Sequence, residues 1–160
     1  MKIAVIGATG LVGQKMLRVL EEQGINADRL IVAASKRSIG KKVHFKGDAI
    51  SLVSVEEAID NKPDIAIFSA GAEASLLYAP EFADKGTFVI DNSSAWRRDN
   101  DIPLVVPEIN ADDINADTRI IANPNCSTIA LVMALAPLHR RYGIRRTVVS
   151  TYQSVSGSGM

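Results

Sequence analysis

A short apolar run, Lys2-Ile3-Ala4-Val5-Ile6, passes without a linker into Gly7-Ala8-Thr9-Gly10-Leu11-Val12-Gly13. A tight turn from strand to helix presents backbone N–H groups and the positive end of the helix dipole, and glycine is needed where a side chain would block a pyrophosphate. The spacing is G-x-x-G-x-x-G rather than G-x-G-x-x-G, so the glycines alone say little. Their setting says more: a strand pattern precedes them, a helix pattern follows, and a second strand pattern ends at the distance expected of a βαβ unit. A glycine-rich turn with no ligand is the weaker reading.

The rest of the chain repeats that alternation, which predicts parallel strands covered by helices on both faces. Strands are expected at Ile3 to Ile6, Leu30 to Ala34, Ile65 to Ser69, Thr87 to Ile90, Leu104 to Val106, Arg119 to Ala122 and Arg146 to Tyr152. The first helix is expected over Leu11 to Gln23, with Leu11, Met16, Leu17 and Leu20 near one face and Gly24 ending it. Val55 to Asp60 and Ala72 to Asp84 follow, the latter interrupted or kinked at Pro80. The longest helix starts at Cys126 and runs towards Tyr142, with Pro137 bending or ending it. Val43-His44-Phe45 and Ile50-Ser51-Leu52-Val53 suggest a small antiparallel excursion.

At 160 residues the chain suits one domain with a core of its own. Eighteen basic and 18 acidic residues give no pull towards nucleic acid or an anionic membrane, so a small-molecule ligand fits better. One cysteine and two histidines exclude a disulfide framework and a Cys/His zinc cluster, and no metal is expected. Gly7 and Gly10 cut the opening apolar run too short for a signal peptide, and no run approaches a membrane span, which predicts a cytoplasmic protein.

The cofactor type is read at the end of the second strand. An NAD site commonly places Asp or Glu there, whereas NADP favours cations and hydroxyls. This chain offers Ser35-Lys36-Arg37-Ser38 with no carboxylate. Arg37 suits a 2′-phosphate, and Ser35 or Ser38 supplies hydrogen bonds, so NADP is preferred. Ser69-Ala70-Gly71 ends a further strand with residues small enough for a flat ring to lie against backbone, and Asp91-Asn92-Ser93-Ser94 ends the next.

Cys126 opens a helix after Asn123-Pro124-Asn125, where unpaired N–H groups and the helix dipole stabilise a sulfur anion. The bland alternative, a small buried hydrophobe, sits badly with that polar flank. A nucleophilic thiol beside a dinucleotide suggests redox chemistry on a carbonyl. Backbone N–H groups and Asn125 could stabilise an oxyanion, Arg97 could hold phosphate or carboxylate, and Gln153 could orient substrate. His139 stands thirteen positions beyond Cys126, roughly 20 Å along a helix, and His44 falls in the antiparallel excursion. Neither is expected to serve the thiol as a base.

These segments, together with Phe68-Ser69-Ala70-Gly71, Asp91-Asn92-Ser93-Ser94-Ala95-Trp96-Arg97, Val105-Val106-Pro107-Glu108-Ile109-Asn110, Ile121-Ala122-Asn123-Pro124-Asn125-Cys126-Ser127-Thr128 and Gln153-Ser154-Val155-Ser156-Gly157, resemble the aspartate-semialdehyde dehydrogenase family in its NADP-dependent bacterial form. The resemblance implies an α/β, doubly wound, Rossmann-like fold with a mostly parallel sheet. It implies an NADP-binding domain over residues 1–145 that includes the Cys126 nucleophile. Residues 146–160 would then be the first strand and glycine-rich loop of an α+β catalytic and dimerisation domain. Cys126 would form an acyl-thioester, Gln153 contact substrate, and Arg97 and Asn125 bind phosphate. Gly7, Thr9, Gly10, Leu11, Val12, Gly13, Ser35, Arg37, Ser38, Ala70, Gly71, Ser156 and Gly157 would hold NADP. The implied reaction is reduction of L-4-aspartyl phosphate to the semialdehyde, towards lysine, threonine, methionine, isoleucine and diaminopimelate. The implied full-length form is a homodimer or homotetramer. Family members continue for about as many residues again, so the 160 residues are expected to bind NADP weakly and not to turn over. The alternatives are an N-acetylglutamyl-phosphate reductase-like enzyme and a non-catalytic NADP-binding module.

Overall fold

The computed structural model describes residues 1–153. Along the chain β1 (Ile3–Ile6) leads into α1 (Leu11–Glu22), β2 (Leu30–Ala33), the pair β3 (Lys42–Phe45) and β4 (Asp48–Ser51), and α2 (Val55–Asp60). Then come β5 (Ile65–Phe68), α3 (Ala72–Asp84), β6 (Phe88–Asp91), the single turn α4 (Pro107–Asn110), β7 (Ile120–Ala122) and α5 (Cys126–Tyr142). All four residues of β1 are buried, as a central parallel strand covered on both faces requires. Five strands form one parallel sheet in the order β2-β1-β5-β6-β7. The chain moves outward from β1 to β2 and then returns past β1 to β5. The order therefore reverses between β1 and β5, where open α/β sheets bind ligands beyond their carboxyl ends.

Two hydrophobic clusters divide along the faces of that sheet. Leu17 of α1 packs with Val5, Val32, Phe45 and Leu52 on one face, so the β3–β4 hairpin closes over the first helix. Ala58 and Ile59 of α2 and Ala79 and Phe82 of α3 pack with Ile6, Phe68 and Val89 on the other. Phe68 and Phe82 meet edge to face with centroids 5.5 Å apart, a geometry that adds about 1 kcal/mol beyond buried area. The expected α/β, doubly wound sheet is the observed one. The hairpin turns on Lys46 and Gly47, both at positive φ, the combination that matches the twist of paired strands.

The structure differs from expectation in two strands, and at the prolines neither helix is interrupted or ended. Both α3 and α5 continue through Pro80 and Pro137. Each proline frees the carbonyl four residues earlier, and those residues, Leu76 and Met133, stand on exposed flanks where water can take the orphaned oxygen. Residues 104–106 are not a strand; Leu104 makes one isolated parallel bridge to Ala122 at the sheet edge. The segment expected as a strand from Arg146 to Tyr152 has no ladder partner among the described residues, and Val148 and Tyr152 are 79% and 99% exposed. Apolar residues predict a strand only where a neighbour supplies the other half of the hydrogen bonds. Among the described residues no helix is long and apolar enough to cross a membrane.

Candidate active site

All five parallel strands end on the same edge, so the loops after β1, β2, β5, β6 and β7 share one side of the molecule. Gly7 follows β1 at φ 89°, where only glycine is unstrained, and a Cβ there would overlap the Ser69 carbonyl after β5. A Cβ on Gly13 would overlap the Gly7 carbonyl oxygen, so this glycine lets α1 start against the end of β1. Gly10 is the N-cap of α1 and offers no side-chain cap, while Thr9, Gly10, Leu11 and Val12 are exposed. The first-turn N–H groups of α1 are thus open at the switch point, a ready anion site. Ala70 and Gly71 lie exposed beside that turn.

Ser35 caps a single 3-10 turn, Lys36–Ser38, directly beyond β2. Ser35, Lys36 and Arg37 are exposed and Ser38 is half-buried. Beside them Glu56 stands in the first turn of α2. Its own backbone N–H and the Ser54 hydroxyl hold its carboxyl below the usual range, with smaller help from Tyr78 and Lys36. Tyr78 donates its hydroxyl to Glu56 at 3.1 Å, and burial first, then that carboxylate, pushes its phenol up.

A second group assembles at the ends of β6 and β7. Arg97 is half-buried and donates from Nε to the Asn123 carbonyl at 2.9 Å and from Nη2 to the Asn92 carbonyl at 3.0 Å. Two of its five N–H donors are thereby fixed and the guanidinium has one orientation. Asn125 is the N-cap of α5, with Oδ1 accepting from Ser127 N at 3.0 Å and Ser127 Oγ at 2.6 Å. Cys126 is the first helical residue, exposed and free, with Sγ 3.9 Å from Asn125 Oδ1. Hydrocarbon does not enclose this sulfur, unlike that of a core cysteine. Gln153 reaches the same helix start: its Nε2 donates to Ser127 Oγ at 3.2 Å and its Oε1 accepts from Asn125 Nδ2 at 3.5 Å.

The structure therefore brings Asn125, Cys126 and Gln153 together at one helix start, ties Arg97 to the Asn123 carbonyl just ahead of it, and gathers Gly7 to Gly13 with Ala70 and Gly71. Ser156 and Gly157 lie outside the described residues. Sequence reasoning missed Ser127, which joins Gln153 to Asn125, and the Asn92 and Asn123 carbonyls that aim Arg97. A main-chain acceptor carries no sequence signal, and Ser127 was visible only as a polar neighbour. His139 lies in the last turn of α5 and His44 on β3, both away from Cys126.

The family described as "Semialdehyde dehydrogenase, NAD binding domain" matches residues 2–117. The chain is 52% identical over 161 residues to "Aspartate-semialdehyde dehydrogenase" of Aquifex aeolicus, covering 99% of the chain and 47% of that protein. It belongs to the aspartate-semialdehyde dehydrogenase family. Aspartate semialdehyde dehydrogenase II from Vibrio cholerae superposes with a TM-score of 0.91 at 50% identity, covering 99% of this chain and 48% of that one. The Candida albicans aspartate semialdehyde dehydrogenase crystallised with NADP gives 0.71 at 27% identity, covering 90% of this chain and 48% of that one. The chain spans about half the length of the curated relatives it matches, and what it contains is an NAD(P)-binding domain. The match to the NAD-binding domain stops nine residues short of Cys126, while the Aquifex relative aligns with nearly all of the chain.

Proposed function

We propose that this chain carries the NADP site and the nucleophile of an aspartate-semialdehyde dehydrogenase acting in the cytoplasm on L-4-aspartyl phosphate. The observation that carries the reading is the exposed Cys126 sulfur at the start of α5, with Asn125 and Gln153 at the same helix start and Arg97 bound to the Asn123 carbonyl ahead of it, on the sheet edge that also bears the glycine turn. The first-turn N–H groups of α1, from Leu11 to Gly13, take the pyrophosphate, with Gly7, Thr9 and Gly10 shaping the approach. Ser35, Arg37 and Ser38 take the 2′-phosphate. Ala70 and Gly71 leave room for the rings, and Ser156 and Gly157 complete the set. The dinucleotide in its reduced form would, when bound, supply hydride for the acyl carbon.

Cys126 sulfur attacks the acyl carbon of the acyl phosphate. A carbon–sulfur bond forms, the carbon–oxygen bond to phosphate breaks with its electron pair, and an acyl-thioester remains on the protein. Arg97 and Asn125 hold the departing phosphate, α5 first-turn N–H groups stabilise the oxyanion, and Gln153 orients the acyl chain. Reduction also calls for a proton donor, and neither His44 nor His139 is placed for that task. The 160 residues are therefore expected to acylate without sustained turnover.

Exposure to L-4-aspartyl phosphate is expected to leave one aspartyl adduct, on Cys126, labile to hydroxylamine and visible by mass spectrometry. An unmodified chain that still binds NADP would instead favour a nucleotide-binding module without chemistry. For the cofactor, Arg37→Ala is expected to weaken NADP+ binding by about tenfold to a hundredfold, the worth of a charge-assisted hydrogen bond, and to leave NAD+ binding unchanged. Parallel fluorescence titrations with the two nucleotides check it. Equal losses for both would remove Arg37 from the 2′-phosphate.

A further inference from the structure

The loop between β6 and Arg97 is tied at both ends, and one tie comes from a helix that takes no part in the chemistry. At the strand end, the fully buried Asp91 accepts from Ser93 N at 3.1 Å and from Ser93 Oγ at 2.6 Å. Ser93 Oγ in turn accepts from Ala95 N at 3.1 Å. At the other end, the Trp96 indole Nε1 donates to Ser75 Oγ at 2.9 Å. Ser75 is fully buried on α3, and the Trp96 ring packs against the core cluster that includes Phe68 and Phe82. Arg97 is the next residue in the chain. Among the described residues its guanidinium is held by carbonyls of two loops, those of Asn92 and Asn123, so the direction of its remaining donors depends on where its backbone starts.

We propose that Ser75 and Trp96 form a latch that positions Arg97, setting the geometry of the anion site beside Cys126 from α3. The proposal rests on the reading of Arg97 as the phosphate anchor. Neither latch residue reaches the reacting atoms; both are positioning residues. A misdirected guanidinium would still carry its charge but would present its fork at the wrong angle, and bidentate recognition of a tetrahedral anion is sensitive to that angle.

Cys126 is the sole cysteine, so its alkylation by iodoacetamide reads one site. Inorganic phosphate is expected to slow that alkylation in the unaltered chain, and Arg97→Gln to abolish the slowing. Trp96→Phe keeps a ring in the core but loses the N–H, and Ser75→Ala loses the acceptor. Each is expected to raise the phosphate concentration for half-protection about fivefold, the factor one hydrogen bond of ordinary strength is worth. Alkylation without phosphate and NADP+ affinity are expected to stay as in the unaltered chain. The double variant should match either single one, because the two residues act as a unit. Protection in the unaltered chain that survives both substitutions within twofold overturns the latch alone. A parallel loss of NADP+ affinity would reduce it to a general packing contact and overturns it too. Absence of phosphate protection in the unaltered chain removes the Arg97 reading itself, and the latch with it.

Discussion

Cys126→Ala is expected to abolish the proposed acyl adduct, leaving the mass of the chain unchanged after exposure to aspartyl phosphate. In a chain extended to the length of the relatives, phosphate-dependent NADPH formation from the semialdehyde falls by about 10⁴-fold or more, the scale on which enzymes lose rate when the nucleophile is removed. The size follows from chemistry rather than packing. Without sulfur no covalent intermediate divides the reaction into two easier steps, and no other thiol exists to substitute. The exposed side chain contributes little to the fold, so melting temperature and NADP+ affinity stay close to those of the unaltered chain. An adduct of undiminished yield in the alanine variant would place the nucleophile elsewhere.

The second large effect is on stability, at the glycine turn. Gly13→Ala puts a methyl group into the Gly7 carbonyl oxygen and 2.9 Å from Ala8 Cα, and Gly7→Ala puts one into the Ser69 carbonyl at φ 89°. Backbone meets backbone in both, so no side chain can swing aside. Either α1 is displaced from β1 or the loops after β1 and β5 separate, at about 3–4 kcal/mol. For a domain of this size that lowers the midpoint of thermal unfolding by about 10 °C. Gly24→Ala is the comparison: φ is also positive, 81°, but nothing lies within 4 Å, and the cost is confined to the left-handed backbone, about 1–2 kcal/mol. Thermal melts of the three variants decide the matter. A Gly13→Ala melt within 2 °C of the unaltered chain would show that the close approach is not what this glycine serves.

The amino-terminal half of the site was legible because local chemistry and tertiary role coincide there. Gly7, Gly10 and Gly13 mark a turn that few other residues can make, and Ile3 to Ile6 form the strand that places it. Ser35 and Arg37 could be placed because they follow β2 directly and parallel strands share one open edge. The helix from Cys126 to Tyr142 was legible for a similar reason, with Asn125 capping its start and Gly143 in the left-handed region at its end. Arg97 was harder. Its spacing suits a surface pair with Arg98 equally well, and only the folded chain shows Arg97 half-buried on two carbonyls while Arg98 is exposed.

The segment from Arg146 to Tyr152 marks the opposite case. Its apolar residues carry a strand signal, yet a strand is a relation between two segments, and none is found among the described residues. By itself the sequence determined most of the helices and strands around the sheet, where the glycine turn lies, and that one cysteine opens a helix, because each depends on residues close together in the chain. The strand order, the meeting of Arg97 with Asn123, the approach of Gln153 to Ser127 and the bond from Trp96 to Ser75 were decided by the tertiary structure alone. The three contacts join residues 21 or 26 positions apart, and they exist only once the sheet has set its strand ends side by side.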